Sequence, residues 1–320
     1  MYMKVVVTGG AGFIGANLVA RLVREPGISR IEVVDDLSTG NRDNLDDVPE
    51  ATLHVGSILD ESLLDGVLAD ADAIVHLAAR PSVPRSLAEP LATHQANATG
   101  TLHVLEAARR AGRLHTVLAS SSSVYGANPT LPKSEDLRPV PMSPYAVSKL
   151  ATETYALAYQ ECFKLPVLVL RFFNVFGPLQ PAGHAYAAAV PTFIDAAMRG
   201  EPIPLHGDGE QTRDFTYVGN VADVIVDALR RRVTSTNPVN LAFGSRRSLN
   251  EVIAELGRQL GVAPTTRALP SRPGDVRHSQ ADQTRFRSLF PDVEATDFTD
   301  GLVDTLAWFR SSDQAASRPA

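Results

Sequence analysis

The chain has 320 residues, 30 basic and 36 acidic side chains, a formal net charge of −6 and 44 % hydrophobic residues. That is an ordinary globular balance, long enough for one large α/β domain with a smaller lobe, and it argues against a nucleic-acid binder, which carries a basic face. A single cysteine, Cys162, excludes an intrachain disulfide and suits the cytoplasm, while the absence of a leader pattern and of any apolar run near the roughly 18 residues that cross a membrane predicts no membrane partner.

In chain order, Lys4-Val5-Val6-Val7 is a β-branched run ending at Gly9 and Gly10, which predicts a buried strand. Phe13 to Val23 carries Phe13, Ile14, Leu18, Val19 and Leu22 at helical spacing. Strands are expected at Ile31–Val34, Thr52–Val55 and Ala73–Leu77, a helix over Gly100–Ala111, and a fifth strand at Thr116–Ser120. A long helix over Tyr145–Cys162 is stopped by Pro166, and a strand follows at Val167–Arg171. Alternating strands and helices predict a doubly wound parallel sheet, an α/β Rossmann fold with a smaller C-terminal substrate lobe.

After Asn174 five prolines break the pattern, and α/β signals return at Val218–Leu229 and Asn250–Leu260. The expected division is residues 1–173 plus about 217–240 for the cofactor domain and 174–216 plus about 241–310 for the substrate lobe, with 311–320 a frayed tail.

Between the first strand and first helix lies Thr8-Gly9-Gly10-Ala11-Gly12-Phe13-Ile14-Gly15, with glycines at 9, 12 and 15. A backbone without Cβ atoms lets a pyrophosphate reach the helix N-terminus, where free N–H groups point outward. Asp35 closes the second strand 20 residues after Gly15, placed to accept from ribose hydroxyls and to repel the extra phosphate of NADP. The expected cofactor is therefore NAD, and Asp36 could share the role of Asp35.

Ser143-Pro144-Tyr145-Ala146-Val147-Ser148-Lys149 opens the long helix, so Tyr145 and Lys149 share a face. An ammonium beside a phenol lowers its pKa from about 10, which suits the pair to moving a proton while hydride passes to or from nicotinamide. Ser120 to Ser123 leave the fifth strand with four hydroxyls able to bond a reacting oxygen. The histidines show no metal-ligand spacing, so no metal is expected.

Taken in order, the glycine turn, Asp35, His76-Leu77-Ala78-Ala79, Asn97, Ser121, Tyr145 and Lys149 resemble the extended short-chain dehydrogenase/reductases. So do Leu170 to Pro178, Gly207 to Phe215 and Arg272 to Ser279, and the resemblance spans about residues 3 to 310. The chain looks like the UDP-sugar 4-epimerases, most of all the branch that accepts N-acetylhexosamines.

That resemblance implies Tyr145 as base, Lys149 on the nicotinamide ribose, Ser121 on the sugar O4 and Ser122 as a second hydroxyl. It implies cofactor contacts from Gly9, Gly12, Phe13, Ile14, Gly15, Asp35, Asp36, Ser57, Ile58, Leu77, Ala78, Ala79, Asn97 and Phe172. Ser57 replaces the aspartate usual near the adenine, so weaker binding is expected there, and His76 is read as structural. The substrate side is implied to use Ser82, Ser121, Ser123, Tyr145, Asn174, Ala189, Pro204, His206 and Ser279, with Arg213 and Arg272 on the diphosphate and Asp275 on a hydroxyl or on Arg272. Ser279 resembles the family's gate beside the sugar's 2-substituent, where a serine leaves room for N-acetyl; Ser82 to Ser86 and Ala185 to Ala189 also look like the N-acetylhexosamine branch.

The related dehydratases carry Asp-Glu where this chain has Ser122-Ser123, which ranks dehydration or reduction lower. A UDP-uronic acid 4-epimerase needs a carboxylate site; Gln180 to Val190 holds no arginine, though Arg85 or backbone groups could serve. A non-catalytic NAD-binding regulator would usually have lost Tyr145 or Lys149. The resemblance also implies a homodimer through the long helix and the helix from Gly100.

Overall fold

The computed structural model describes residues 3–182, 187–270 and 276–316. It begins with strand β1 (Met3–Thr8), helix α1 (Phe13–Val23), strands β2 (Ile28–Asp35) and β3 (Ala51–Val55), helix α2 (Glu61–Leu68) and strand β4 (Ala73–His76). Helices α3 (Val83–Ala88), α4 (Pro90–His94) and α5 (Gly100–Arg110) follow, α4 and α5 joined through a π turn over Gln95–Thr99. Strand β5 (His115–Ser121), helix α6 (Pro144–Phe163) and strand β6 (Val167–Phe172) complete the first half.

Seven parallel strands form one sheet in the order β3-β2-β1-β4-β5-β6, then a short strand from late in the chain, β11 (Val239–Leu241). The intervening elements are strand β7 (Val175–Phe176), helix α7 (Ala189–Met198), strands β8 (Ile203–His206), β9 (Thr212–Asp214) and β10 (Thr216–Tyr217), and helix α8 (Val218–Arg231). Strand β12 (Arg246–Ser248), helix α9 (Leu249–Leu260), strand β13 (Thr266–Leu269) and helices α10 (Thr284–Leu289) and α11 (Phe298–Ala316) follow β11.

The sheet is apolar because both faces are covered. Val5, Val6 and Val7 are fully buried, and consecutive residues feed opposite layers. Val5 and Val7 join Leu18, Val19 and Leu22 of α1 and the Val221–Leu229 face of α8. Val6 joins Leu64 and Leu68 of α2, Val104 and Leu105 of α5, and Ala156 of α6. Each fully buried aliphatic side chain contributes roughly 1.5–3 kcal/mol. A third cluster, Phe176, Phe193, Phe215, Leu256, Phe298 and Leu302 among others, is the core of the smaller lobe.

Helix α6 starts where its sequence says it should. Ser143 caps it, its Oγ accepting from the Ala146 N–H at 3.2 Å, and Pro144 occupies the first turn. Its inward face is unusually polar: Ser148, Lys149, Thr152 and Glu153 are all buried. Helix α11 continues to Ala316, into the 311–320 segment expected as a tail. Leu302, Leu306 and Phe309 anchor it on the lobe core, and the residues after them tolerate helix.

Candidate active site

The strand order reverses between β1 and β4, and a cavity of about 1220 Å³ opens at the C-terminal ends of the strands there. The glycine turn forms its floor. Gly9 has φ +73°, and a Cβ on it would lie 2.6 Å from the Ala78 nitrogen. A Cβ on Gly15 would lie 2.1 Å from the Gly9 carbonyl oxygen. Helix α1 has no side-chain cap and no acid in its first turn, so its N–H groups are left for an anion. Gly9, Gly12, Phe13, Ile14 and Gly15 all line the cavity.

Asp35 sits at the end of β2, its Oδ2 accepting from Ala11 N–H and its Oδ1 from Leu37 N–H, both at 2.9 Å. Burial raises its pKa, against the pull of those N–H groups. Asp36 is exposed and accepts from Ser38 N–H. Ser57, Ile58, Leu77, Ala78, Ala79 and Phe172 line the same cavity. These residues fit a dinucleotide: an open helix N-terminus over a turn that no Cβ could enter, with a carboxylate at the neighbouring strand end. Asn97 does not line the cavity. The π turn buries it, its Oδ1 accepting from Arg80 N–H at 2.7 Å and its Nδ2 donating to Ser148 Oγ at 2.9 Å, so it braces the wall. His76 is buried between the hydroxyls of Thr8 and Thr101.

Tyr145 enters on the first turn of α6 and Lys149 one turn later, both lining the cavity beside Ser121, Ser122 and Ser123. Lys149 Nζ donates to Ala119 O at 2.9 Å, and burial lowers its pKa to about 8 while Glu153 pulls upward. Burial pushes the Tyr145 phenol up, and its hydrogen bond with Ser121 works the other way. The expected lowering of Tyr145 is thus not met by the protein's own groups: desolvation of the phenolate outweighs the Ser121 hydrogen bond. Ser121 Oγ accepts from Ser123 N–H at 3.1 Å, whereas the buried Ser123 Oγ has no hydrogen-bond partner among the described residues.

On the substrate side Ser82, Asn174, Arg213 and Ser279 line the cavity. Ser82 holds φ 91°, a region side chains rarely adopt, while capping α3. Asn174 Nδ2 donates to Asp214 O at 3.2 Å, and Arg213 donates to Thr212 O at 2.9 Å. Ala189 opens α7 one residue beyond the lining residues Ala187 and Ala188. Pro204 and His206 lie on β8 outside the lining, and His206 Nδ1 is 2.8 Å from Pro270 O. Both sit in the parallel pairing of β8 with β13, Pro204 opposite Arg267 and His206 opposite Leu269. Arg272, Asp275 and residues 185 and 186 lie outside the described residues.

The cavity adds residues that sequence reasoning missed. Arg80 and Lys133 line it from separate loops, with no local pattern to announce them, and His278 lines it from within the segment Arg272 to Ser279, where no role was assigned to it. Among the described lining residues the cations are Arg80, Arg85, Lys133, Lys149 and Arg213, against two carboxylates, Asp35 and Asp36, both at the glycine-turn end. The site is thus cationic in a chain of net charge −6, which suits an anionic substrate. Among the described residues no group of His, Cys, Asp and Glu could hold a metal ion, and no helix is long and apolar enough to cross a membrane.

The model of the NAD dependent epimerase/dehydratase family matches residues 5–242. The chain is 34 % identical over 317 residues to a UDP-glucose 4-epimerase of Mycolicibacterium smegmatis, covering 98 % of this chain and 100 % of that one. Its structure is similar to a UDP-N-acetylglucosamine 4-epimerase from Methanobrevibacter ruminantium in complex with UDP-N-acetylmuramic acid, with a TM-score of 0.91, 35 % identity and coverage of 97 % and 99 % of the two chains. It is also similar to the Thermus thermophilus UDP-glucose 4-epimerase complex with NAD, with a TM-score of 0.88, 32 % identity and coverage of 97 % and 100 %.

Proposed function

The chain belongs to the NAD dependent epimerase/dehydratase family, and as an NAD-dependent enzyme of that family we propose that it inverts C4 of a UDP-sugar through a transient 4-keto intermediate. The observation that carries this reading is the chemistry around Tyr145. Hydroxyls of Ser121, Ser122 and Ser123 and the Lys149 ammonium surround it, and no carboxyl group lines that part of the cavity among the described residues. Eliminating water needs an acid and a base beside the sugar in addition to the Tyr/Lys pair; inverting C4 needs only one proton relay.

Tyr145, acting as the phenolate that the Lys149 ammonium favours, takes the proton of the sugar 4-hydroxyl, with Ser121 bonding the same oxygen and relaying the proton. NAD, when bound, supplies the acceptor and then the donor of the C4 hydride. Lys149 holds positive charge beside that phenolate until the proton arrives. The ketone turns in the pocket, and Tyr145 returns the proton to the inverted hydroxyl. Arg213, joined by Arg272 as the resemblance implies, holds the diphosphate through that turn, because an escaping ketone would leave reduced, inactive enzyme. The small Ser279 in the cavity wall, at the position that by resemblance gates the sugar's 2-substituent, supports UDP-N-acetylhexosamines together with plain UDP-hexoses as substrates.

A UDP-uronic acid is the second reading, favoured by Arg80 and Arg85 in the cavity wall. The exposed apolar residues Val147 and Tyr155 on α6 support a homodimer through that helix and α5, and the composition supports a cytoplasmic location. Purified protein is incubated separately with UDP-GlcNAc, UDP-Glc and UDP-GlcA and the products are resolved by chromatography and mass. An isomer of unchanged mass, without stoichiometric NAD consumption, is expected, and the fastest substrate identifies the sugar. A product lighter by one water overturns the reading.

A further inference from the structure

Directly behind the Tyr145/Lys149 pair lies a buried ion pair that the proposed chemistry leaves unused. Glu153 is one helical turn past Lys149 on α6 and is 1 % exposed; Arg171, on β6, is 2 % exposed. They meet as a two-pronged fork, Arg171 Nε to Glu153 Oε1 and a terminal guanidinium nitrogen to Oε2, both at 2.8 Å. Ser120 Oγ donates to the same Glu153 Oε1. The guanidinium lies 4.7 Å from the centre of the Tyr125 ring, and the Tyr125 hydroxyl donates to Asn240 Oδ1 at 2.6 Å.

A buried ion pair is seldom the most stabilising way to fill a core, since apolar residues of similar volume often do as well or better. Its place is better explained by what it adjoins. Lys149 is 6 % exposed, and its one direct hydrogen bond among the described residues goes to a neutral carbonyl, Ala119 O. Burial there works against its charge. The groups nearest it are Tyr145 and Glu153, each one turn away on its own helix, His76 on β4 and the Ala119 carbonyl on β5, with Arg171 on β6 paired to Glu153. His76 is kept neutral by burial, so Glu153 is the one anion among these groups. Arg171 fixes where that anion sits.

Resting on the epimerase reading for its catalytic consequence, we propose that Glu153 is a positioning residue that keeps the Lys149 ammonium charged and, through Ser120, ties α6 to the strand end carrying Ser121. Glu153 touches neither substrate nor cofactor. It acts through Lys149 and through the register between Tyr145 and Ser121.

The chain has four lysines, Lys4, Lys133, Lys149 and Lys164, so ¹³Cε-lysine labelling yields four resonances that single substitutions assign. The titration midpoint of Lys149 is followed by NMR in the whole protein. It is expected to fall by about one unit in E153Q, where the attracting charge is gone and Arg171 remains. The alkaline limb of the kcat/KM profile for the UDP-sugar should move down by the same amount. The double variant E153Q/R171M removes both charges, keeps the fold should E153Q alone fail to fold, and should titrate between E153Q and wild type. A Lys149 midpoint in folded E153Q or in the double variant that coincides with wild type overturns the proposal. So does a double variant titrating above wild type, which would make Arg171 the governing charge. If wild-type protein isomerises no UDP-sugar, the functional reading falls while the lysine titration still decides this one.

Discussion

Glycine-to-alanine substitutions at positions 15 and 66 are the same chemical change with opposite expected outcomes. Both glycines are helical, Gly15 in α1 and Gly66 in α2, and alanine in a helix gains about 0.5–1 kcal/mol over glycine. A Cβ on Gly66 would meet nothing within 4 Å, so Gly66→Ala should keep that whole gain. A Cβ on Gly15 would sit 2.1 Å from the Gly9 carbonyl oxygen and 2.6 Å from the Gly10 Cα. Both are backbone atoms, and the turn has little room to retreat, because Gly9 is itself packed on the Ala78 backbone. Overpacking of this kind costs about 1–3 kcal/mol, and contacts this short belong at the upper end. Gly15→Ala should therefore lose about 2 kcal/mol net. Because the same turn forms the floor of the cavity proposed to hold the dinucleotide, NAD affinity should also fall about tenfold or more. Urea unfolding followed by circular dichroism and calorimetric NAD titration measure the two effects. A Gly15→Ala protein as stable as wild type with undiminished NAD binding would refute the close packing of the turn.

Tyr145→Phe should lower kcat by about 10²–10⁴-fold while the unfolding midpoint stays near wild type, since only a cavity-facing hydroxyl is lost; a fully active variant would remove Tyr145 from the proton path. His76 is held by burial at a pKa of about 3 against 6.5 in the unfolded chain. As pH falls through that window the unfolded state binds a proton that the folded state refuses, so stability is lost there, on the order of 5 kcal/mol at the limit. His76→Asn should flatten this acid limb in denaturant titrations. Ser279→Tyr narrows the cavity and should lower kcat/KM for UDP-GlcNAc more than tenfold relative to UDP-Glc, and equal losses would contradict a size gate (tenfold is about 1.4 kcal/mol of barrier). Tyr155→Glu puts a charge on the exposed face of α6 and should turn the proposed dimer into a monomer by light scattering; a wild-type monomer would dismiss the dimer.

Much of the sheet and the placing of Tyr145 beside Lys149 were legible because the signals are local. Val5 to Val7 read as a buried strand from their side chains alone, and Ser143-Pro144 announces the start of α6. The four-residue spacing of Tyr145 and Lys149 puts them on one face in any helix. The same spacing from Lys149 reaches Glu153, so that signal was present, but only the fold reveals Arg171 and Ser120 as its partners. Strands β7, β9, β10, β11 and β12 have two or three residues each, too short for any alternation to show. Their pairings, and with them the positions of Arg213 and Ser279, come from contacts between distant segments, such as Ser279 N–H on Thr212 O. The charge state of Tyr145 belongs to the same class. A local rule places an ammonium one turn away, but the pKa depends on how completely the rest of the molecule excludes water from the phenol, and only the tertiary structure decides that.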